Sequence, residues 1–472
     1  MSVASLTFIA FVIAFAVLHA LWSNRWWRSG LFLAANALFI LSFTRSPLAL
    51  LPFAAFLAWG YVSVRLSRIA GKWMSVVFIA GTLLIFVYLK KYWFLSFLPP
   101  APFPYLTVGL SYAFFRVMGM IVDARDDPVI GGCGPIDYFN FAVNFPTMAA
   151  GPIDRYQEFS RPPEPLTPTM VGRGFERGAL GFFKIFVLSA LVLQPQTQAT
   201  ASILTSSGAE RGLYAAVSFG LYPIYLYFNF SGYTDIVIGV GYLFGKRYPE
   251  NFDQPFSSRS FIELWSRWHM SLSFWLRDYV YTPLLKALMA RSSSKTWDLY
   301  FGAAAYFVTF FLIGVWHGST IIFAVFGVLL GVGVSVNKIY QVNMTSILGR
   351  REYRNLAERR DYQYLSRGLT YTWFCLCMIC FWATTAQATR LMQALGAPAL
   401  ILSAIVILVA AAVVLAVWAE MSALWAKMFK INDDSTLLPY LRAMIVGVLI
   451  FGCVAIEVLN SHVNSNIIYQ AF

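Results

Sequence analysis

Long apolar runs recur from one end of the chain to the other and are separated by short polar segments. They lie near residues 4–22, 30–47, 48–64, 73–89, 104–122, 171–193, 212–228, 232–245, 299–316, 320–337, 368–387, 398–419 and 438–458. A transmembrane helix needs about 20 mostly apolar residues. Because some runs are shorter, the pattern predicts about eleven to thirteen transmembrane helices. We therefore expect an all-α, polytopic integral membrane protein in which residues 1–472 form a single membrane domain.

Three longer polar interruptions divide the apolar runs, at residues 123–167, 246–298 and 338–367. Within the first, the stretch FNFAVNFPTMAAGPIDRY at 139–156 is half apolar and is broken by Pro146 and by a Gly-Pro pair. Broken helices are tolerated at membrane depth only beside protein or water. The stretch is therefore predicted to be an interfacial helix or a re-entrant segment that lines a cavity.

The second interruption contains ELWSRWHMSLSFWLRDYV at 263–280, which has the pattern of one amphipathic helix. Ser260 and Glu263 have the spacing of a capping box, and Glu263 and Arg267 have the spacing of an i,i+4 ion pair. His269 lies at the edge of the apolar face. The residues of that face are Phe261, Leu264, Trp265, Trp268, Leu272, Trp275, Leu276 and Tyr279. Such a helix either lies flat in the lipid interface or walls a polar cavity.

Charged residues are few, and basic residues outnumber acidic ones. Only 12% of the residues are charged and the formal net charge is +13, with Lys and Arg scattered over short loops. This distribution favours anchoring at an inner membrane leaflet and not nucleic-acid binding. The basic segments 25–28, 65–72 and 350–360 are predicted to be cytoplasmic, which puts the N-terminus outside. Lys90 and Lys91 then fall on the outer side, which is contrary to the rule that basic residues concentrate in cytoplasmic loops.

The chain has four histidines, and two of them are candidates for chemistry. His19 lies among apolar residues and is expected to pack, and His462 lies in a polar tail. His317 lies in GVWHGST between two apolar runs, and Gly318 is expected to end the helix in a left-handed conformation. An ionisable group at membrane depth is costly, and histidine titrates near neutral pH, which suits a general base. A structural histidine bonded to a carbonyl is the alternative.

Asp235 lies inside the apolar stretch NFSGYTDIVIGVGYLFG at 229–245 and needs a partner there. Gly241 and Gly245 have the small-xxx-small spacing that allows two membrane helices to approach closely. Three arginines are candidate partners of Asp235, namely Arg155, Arg267 and Arg277. The stretch GPIDRY supplies a second acid–base pair, Asp154 and Arg155.

The sequence offers a base but no evident nucleophile. It contains no nucleophile elbow, phosphate loop or dinucleotide fingerprint. Cys375, Cys377 and Cys380 lie in an apolar run without a neighbouring acid or histidine, so no metal site is predicted. A single general base suits direct transfer of an acyl group from a thioester to a hydroxyl.

At these residues the chain resembles the membrane-bound O-acyltransferase (MBOAT) family. It resembles in particular the bacterial branch that contains the D-alanyl transfer protein of teichoic acid modification and the alginate O-acetylation protein. The resemblance covers roughly residues 105–340 and runs through GLSYAFFRVMGMIVDARDD, FPTMAAGPIDRY, FNFSGYTDIVIGVGYLFG, PENFDQPF, LWSRWHMSLSFWLRDYV and GVWHG. The last two motifs are specific when they occur together.

The resemblance implies the catalytic residues. The family's invariant histidine corresponds to His317, and its second histidine corresponds to His269. The polar helix would line the reaction chamber, which explains why charge is tolerated there. The implied substrate-binding or chamber-lining residues are Asp154, Arg155, Asn229, Ser231, Asp235, Arg267, Trp268, Arg277, Asp278 and Trp316.

The resemblance also implies the substrates and the location. The chain is expected in the bacterial cytoplasmic (inner) membrane, in contact with lipid, with no bound cofactor. Its co-substrate would be a cytoplasmic thioester donor, acetyl-CoA or an acyl carrier protein. The acceptor would be an extracytoplasmic glycan or a partner acyltransferase. The length beyond residue 367 and the ending NIIYQAF favour acetyl transfer, whereas GPIDRY and RWHMSLSFW favour D-alanyl transfer. A proton-coupled transporter or flippase and a membrane scaffold for another transferase are the rival functions.

Overall fold

The computed structural model describes residues 3–44, 46–69, 71–99, 103–105, 107–291, 295–428 and 437–460. His462 and the ending NIIYQAF lie outside these residues. Within them the fold is all-α, as predicted, and the β-structure is limited to one isolated bridge between Phe252 and Trp268. The α-helices are α1 (Leu6–Leu21), α2 (Arg25–Leu41), α3 (Leu51–Ser67), α4 (Lys72–Leu89), α5 (Leu110–Asp123), α6 (Pro128–Gly131), α7 (Pro135–Val143), α8 (Tyr156–Phe159), α9 (Pro168–Phe183), α10 (Ser189–Thr205), α11 (Gly208–Tyr242), α12 (Phe261–Arg267), α13 (Met270–Leu276), α14 (Thr282–Met289), α15 (Lys295–His317), α16 (Ile321–Glu358), α17 (Arg360–Trp382), α18 (Thr385–Met428) and α19 (Leu438–Asn460).

The helices form two compact units. The first unit comprises residues 1–187, 229–250 and 434–472, and the second comprises 188–228 and 251–433. Helix α11 contributes to both units, because the division falls within it at residue 228. A single membrane domain over the whole chain stays a prediction.

Six helical stretches of the described residues are long and apolar enough to cross a membrane. They are Pro47–Ser67, Lys72–Leu89, Pro168–Thr205, Tyr300–His317, Ile321–Glu358 and Thr385–Trp418. Two shorter apolar helices, Thr7–Leu21 and Leu438–Gly452, accompany them. The chain is thus polytopic, and the total of eleven to thirteen spans stays a prediction.

The prediction that residues 212–228 and 232–245 form two separate spans is wrong. The first run lies in α11, a continuous helix of 35 residues, and the second lies in the same helix as far as Tyr242. Gly232 does not break the helix, because its bare backbone packs against another helix. A Cβ at Gly232 would lie 2.7 Å from the carbonyl oxygen of Gly181 in α9.

The close contact of α9 and α11 in the first unit is made by glycines on both helices. A Cβ at Gly181 would lie 2.5 Å from the carbonyl oxygen of Gly232, and one at Gly239 would lie 2.7 Å from that of Gly174. The prediction that Gly241 and Gly245 make such a contact is therefore wrong. Gly241 lies against the Tyr248 ring, and Gly245 follows the helix with φ +76°.

The segment predicted to be broken, 139–150, is broken and buried. Helix α7 ends at Val143, the next residue, Asn144, has φ +40°, and a 3₁₀ turn over Phe145–Thr147 follows. Arg116 of α5 fixes the break, because its guanidinium donates to the carbonyl oxygens of Ala142 (3.1 Å), Val143 (2.9 Å) and Thr147 (2.9 Å). These carbonyls, which end a helix, would otherwise lack intrahelical donors.

Candidate active site

The predicted amphipathic helix is interrupted at its histidine. Helix α12 ends at Arg267 and α13 begins at Met270, and between them His269 has φ +46° and ψ +52°. This left-handed conformation is strained for a residue other than glycine. The expectation of one continuous helix over 261–280 is therefore wrong.

Residues 251–253 cause the interruption by bonding to the backbone that a continuous helix would have used. The amide of Met270 donates to the carbonyl oxygen of Asn251 (3.0 Å), and the amide of Asp253 donates to the carbonyl oxygen of Arg267 (3.0 Å). The Asn251 side-chain oxygen accepts from both the amide (3.2 Å) and the hydroxyl (2.6 Å) of Ser271. The break satisfies backbone groups that would otherwise be buried without partners.

The local features predicted on either side of the break are confirmed. The Ser260 hydroxyl accepts from the Glu263 amide at 3.1 Å. The Glu263 carboxylate accepts from the amide of Arg259 (2.8 Å) and pairs with Arg267 (3.2 Å). The predicted apolar face is buried except for Tyr279, which is partly exposed.

His317 is the last residue of α15 and is buried among aromatic rings. Its ring centroid lies 4.7 Å from that of Trp316, 5.0 Å from Phe381 and 5.9 Å from Phe326. The side chain is 9% exposed. The imidazole is thus held in a mostly apolar setting at the end of a membrane-spanning stretch.

Gly318 is needed after His317 for a reason other than the one predicted. The glycines with positive φ in the described part of the chain do not include it, so the predicted left-handed end is wrong. A Cβ at Gly318 would lie 2.1 Å from the ring of Phe323. The glycine allows this ring to pack directly against the turn that follows the histidine.

The structure brings the two candidate histidines together in the second unit. Trp316 lies beside both, with its ring centroid 6.3 Å from His269 and 4.7 Å from His317. Burial lowers the pKa of His269 well below its ordinary value, and the nearby His317 lowers it further. His269 is therefore neutral at neutral pH, and a neutral imidazole can both accept a proton and donate a hydrogen bond.

Arg267 and Trp268 both precede the break but have different surroundings. Trp268 is buried, and its ring packs against Phe374 (5.0 Å) and Phe252 (5.1 Å). Arg267 pairs with Glu263 and, at 3.3 Å, with Asp253. The sequence had assigned Arg267 to the chamber, and this role stays a prediction.

Arg277 and Asp278 form an ion pair with each other at 2.8 Å, near the surface. Their side chains are 58% and 39% exposed. The Arg277 guanidinium lies 5.0 Å from the Phe274 ring centroid. Their role as chamber-lining residues stays a prediction.

Asp235 has two basic partners in the first unit. Its carboxylate pairs with Arg177 at 2.7 Å and with Lys184 at 2.6 Å, both from the neighbouring helical segment. The expectation that Asp235 faces protein and is paired with a base is confirmed. The three arginines proposed from the sequence are not these partners.

Asp154 is also buried in the first unit, and its carboxylate accepts from the amide of Arg155 at 2.9 Å. Burial raises the pKa of Asp154 to about 6, against the lowering effects of that hydrogen bond and of nearby cations. Burial lowers the pKa of Lys246 to about 8, and Asp154 opposes this shift. Arg155 is partly exposed.

Asn229 and Ser231 are buried in α11. In the residues that the structure describes, neither the Asn229 side-chain oxygen nor the Ser231 hydroxyl has a hydrogen-bond partner. Buried polar atoms are rarely left without one. That the two residues face a substrate stays a prediction.

Four residues that organise these sites are not among those predicted from the sequence. Arg116, Arg177 and Lys184 lie inside the predicted apolar runs 104–122 and 171–193, and Asn251 lies in a polar loop. The signal for the first three was present, because a cation in an apolar run is costly and needs a specific partner. No pattern in the neighbouring sequence distinguishes Asn251, because its hydrogen-bond partners, Met270 and Ser271, follow it by 19 and 20 positions.

The part of the chain that contains both histidines is similar in sequence to known proteins. The sequence profile of the membrane-bound O-acyltransferase family matches residues 127–380, which is more than half of the chain. This chain belongs to the membrane-bound O-acyltransferase family. All twelve predicted site residues of this MBOAT protein lie within the matched region, whereas the resemblance inferred from the sequence covered residues 105–340.

Two kinds of named relative are similar to this MBOAT protein. The teichoic acid D-alanyltransferase of Streptococcus thermophilus is 33% identical over 241 residues, 49% of this chain and 56% of the relative. That of Bacillus subtilis is 31% identical over 277 residues, 57% of this chain and 68% of the relative. The "Probable alginate O-acetylase AlgI" of Pseudomonas fluorescens is 33% identical over 241 residues, 50% of this chain and 46% of the relative.

The chain spans about half the length of the first of these relatives. Its family and the six long apolar helices among its described residues make it a multi-pass membrane protein, and its bacterial relatives support a location in the bacterial inner membrane. Identity to the D-alanyltransferases and to the O-acetylases is nearly equal, so it does not choose between acyl groups.

Proposed function

We propose that this protein is an O-acyltransferase of the bacterial inner membrane that moves an acyl group from a cytoplasmic thioester to a hydroxyl of a cell-envelope polysaccharide, or to a partner transferase on the outer side. The observation that carries the proposal is the pair of buried histidines, His269 and His317, whose ring centroids lie 6.3 Å and 4.7 Å from that of Trp316. The family match covers both of them. Acetyl is the favoured acyl group, with acetyl-CoA as donor, and D-alanyl from a carrier protein is the second.

In the proposed reaction His317 acts as the general base. Its imidazole accepts the proton of the acceptor hydroxyl while the oxygen attacks the thioester carbonyl carbon. The new C–O bond forms, the C–S bond breaks, and the departing thiolate takes the proton from the imidazolium. The products are an ester and a free thiol, and no covalent enzyme intermediate or metal is required.

His269 is proposed as the second catalytic histidine. Its neutral imidazole, fixed by the break between α12 and α13, can donate a hydrogen bond to the oxygen that becomes negative at the thioester carbonyl. The aromatic rings around His317 exclude water, which strengthens such an interaction.

The central test is His317→Ala. We expect a loss of about 10²–10⁴-fold in the rate of acyl transfer, the usual contribution of a positioned base. Donor binding should weaken much less, because the base acts mainly in the transition state. The assay follows labelled donor and the appearance of free thiol with purified, folded protein. A transporter would move the donor intact, and a stable His317→Ala protein with full transfer activity would overturn the mechanism.

Two substitutions at His269 separate its chemistry from its backbone. His269→Gly accommodates the left-handed conformation at no steric cost, whereas His269→Ala retains the strain. If the imidazole takes part in the reaction, both variants lose turnover to a similar extent, and the glycine variant is at least as stable as the alanine variant. Recovery of turnover in His269→Gly would show that the residue matters only for the bend.

A further inference from the structure

A polar cavity of about 480 Å³ in the second unit is lined by three arginines. Arg259, Arg267 and Arg367 share it with one carboxylate, that of Glu263. Arg367 is 7% exposed and donates from Nε to the carbonyl oxygen of Ser257 at 3.2 Å, so it is fixed in place. Planar guanidinium groups fixed in this way bind phosphate with particular geometry.

An apolar cavity of about 360 Å³ lies next to it, between α11, α17 and α18. Its lining consists of aliphatic and aromatic residues with glycine, and it includes Gly220, Tyr371 and Ala411. Val217 and Val414 also line it, yet they are 43% and 62% exposed, so the cavity opens at the surface. Val414 belongs to a stretch that is apolar enough to span a membrane.

The two cavities follow one another along the same elements. Phe256 lines the apolar cavity and Ser257 the polar one. On α17, Tyr371 and Arg367 are one turn apart, and on α18 so are Val414 and Trp418. One turn of helix advances about 5.4 Å. An apolar groove that opens toward hydrocarbon thus ends at a cluster of cations.

Neighbouring residues indicate where the boundary between the two cavities lies in the membrane. Trp418 is the last residue of the apolar stretch of α18, lines the polar cavity and is 63% exposed. Tryptophan is enriched where hydrocarbon meets the headgroups. Arg367 follows the basic segment 350–360, which is predicted to be cytoplasmic, by two turns of α17.

From this arrangement we infer a binding site for an anionic phospholipid of the cytoplasmic leaflet. The headgroup phosphate binds to Arg259 and Arg367, and one acyl chain lies in the groove between α11, α17 and α18. The favoured occupant is a lipid and not a soluble phosphate ester, because the polar cavity continues into a groove that only an attached apolar chain would fill. The inference does not depend on which acyl group the protein transfers.

Native mass spectrometry of the detergent-purified protein tests the site, with phosphatidylglycerol and phosphatidylcholine of identical chains as probes. The wild type should retain phosphatidylglycerol over phosphatidylcholine. Arg259→Ala should weaken phosphatidylglycerol binding about five- to tenfold, the contribution of one basic residue to an anionic lipid. Arg259 is exposed, and its hydrogen bond to the Glu263 carboxylate is donated by its backbone amide, so the substitution leaves that bond intact. Arg390→Ala, at the other end of α18, is the matched control and should have no effect.

The groove is tested separately by Ala410→Phe, which fills it from an exposed position. This change should weaken the binding of both lipids, whereas Val413→Phe, on the same helix and outside the groove, should not. Inorganic phosphate and coenzyme A are the comparison ligands. Equal retention of the two lipids by the wild type would overturn the inference. So would displacement of phosphatidylglycerol by coenzyme A together with unchanged binding in Ala410→Phe, because the polar cavity would then serve a soluble phosphate ester.

Discussion

At the scale of single residues, the buried carboxylate of Asp235 is held by two cations, Arg177 at 2.7 Å and Lys184 at 2.6 Å. Asp235 was expected to be paired because an isolated carboxylate at membrane depth is costly, and it is paired. The partners were missed because Arg177 and Lys184 lie on another helix more than 50 positions away. One-dimensional spacing gives neighbours on the same helix, and ion pairs between helices depend on how the helices pack.

Asp154 provides a test of a buried charge that does not depend on activity. Its pKa is raised to about 6, so between pH 4 and 6 the folded state holds a proton that the unfolded state releases. The stability that this proton provides is present below pH 4 and is lost as the pH rises through 6. The loss amounts to about 3 kcal/mol if the full difference in pKa is expressed.

Asp154→Asn should therefore gain stability relative to the wild type as the pH rises from 4 to 6. The comparison is made below pH 7, because Asp154 also raises the pKa of Lys246, which is about 8. Thermal unfolding of both proteins in the same detergent at closely spaced pH values measures the difference. The other acids titrate equally in the two proteins, so they cancel. Parallel curves over this range would contradict the raised pKa.

At the scale of elements, local rules predicted how helices begin and missed where they break. The capping box at Ser260 and the ion pair between Glu263 and Arg267 require only three or four residues of sequence, and both are present. The interruption at His269 is made by Asn251, from outside the helix. The amphipathic pattern continues across the break because the same face stays buried on both sides, so periodicity alone could not reveal it.

The glycine contact between α9 and α11 gives a prediction for an element pair. In Gly232→Ala the new Cβ would lie 2.7 Å from the Gly181 carbonyl oxygen, so the helices must separate. Such overpacking typically costs about 1–3 kcal/mol. Gly178→Ala, on α9, is the matched control, because a Cβ there meets no atom within 4 Å. That variant should be neutral or more stable, since alanine favours helix. Equal melting temperatures of the two variants would show that the helices are not in contact.

At the scale of the whole molecule, composition and apolar runs predicted the class of protein, and the family confirms it. The number of membrane-spanning helices was harder to predict. A long helix such as α11 contains two apolar runs, and a short helix such as α5 contains a buried charged residue, Arg116. Hydropathy records how apolar a run is and not whether its surroundings are lipid or protein.

The predicted orientation can be tested by labelling single introduced cysteines in intact cells with a reagent that does not cross the membrane. Asn355→Cys, in the basic segment 350–360, should be protected in intact cells and become reactive after permeabilisation. Trp22→Cys, after α1, should show the same pattern, because it precedes the basic segment 25–28. The described native cysteines Cys133, Cys375, Cys377 and Cys380 are buried, which keeps their own labelling low, and the protein without an introduced cysteine gives the remaining background. Labelling of position 355 in intact cells would reverse the orientation.

The dependence of His269 on Asn251 has a practical consequence for recombining this chain with its relatives. The loop and the histidine turn exchange backbone hydrogen bonds, so they act as one module although they are encoded apart. A chimaera whose junction falls between positions 251 and 271 would join a loop from one parent to a turn from another. Junctions placed outside this interval keep the module from a single parent, and they are the sensible boundaries for exchanging donor or acceptor preference between O-acetylating and D-alanylating proteins.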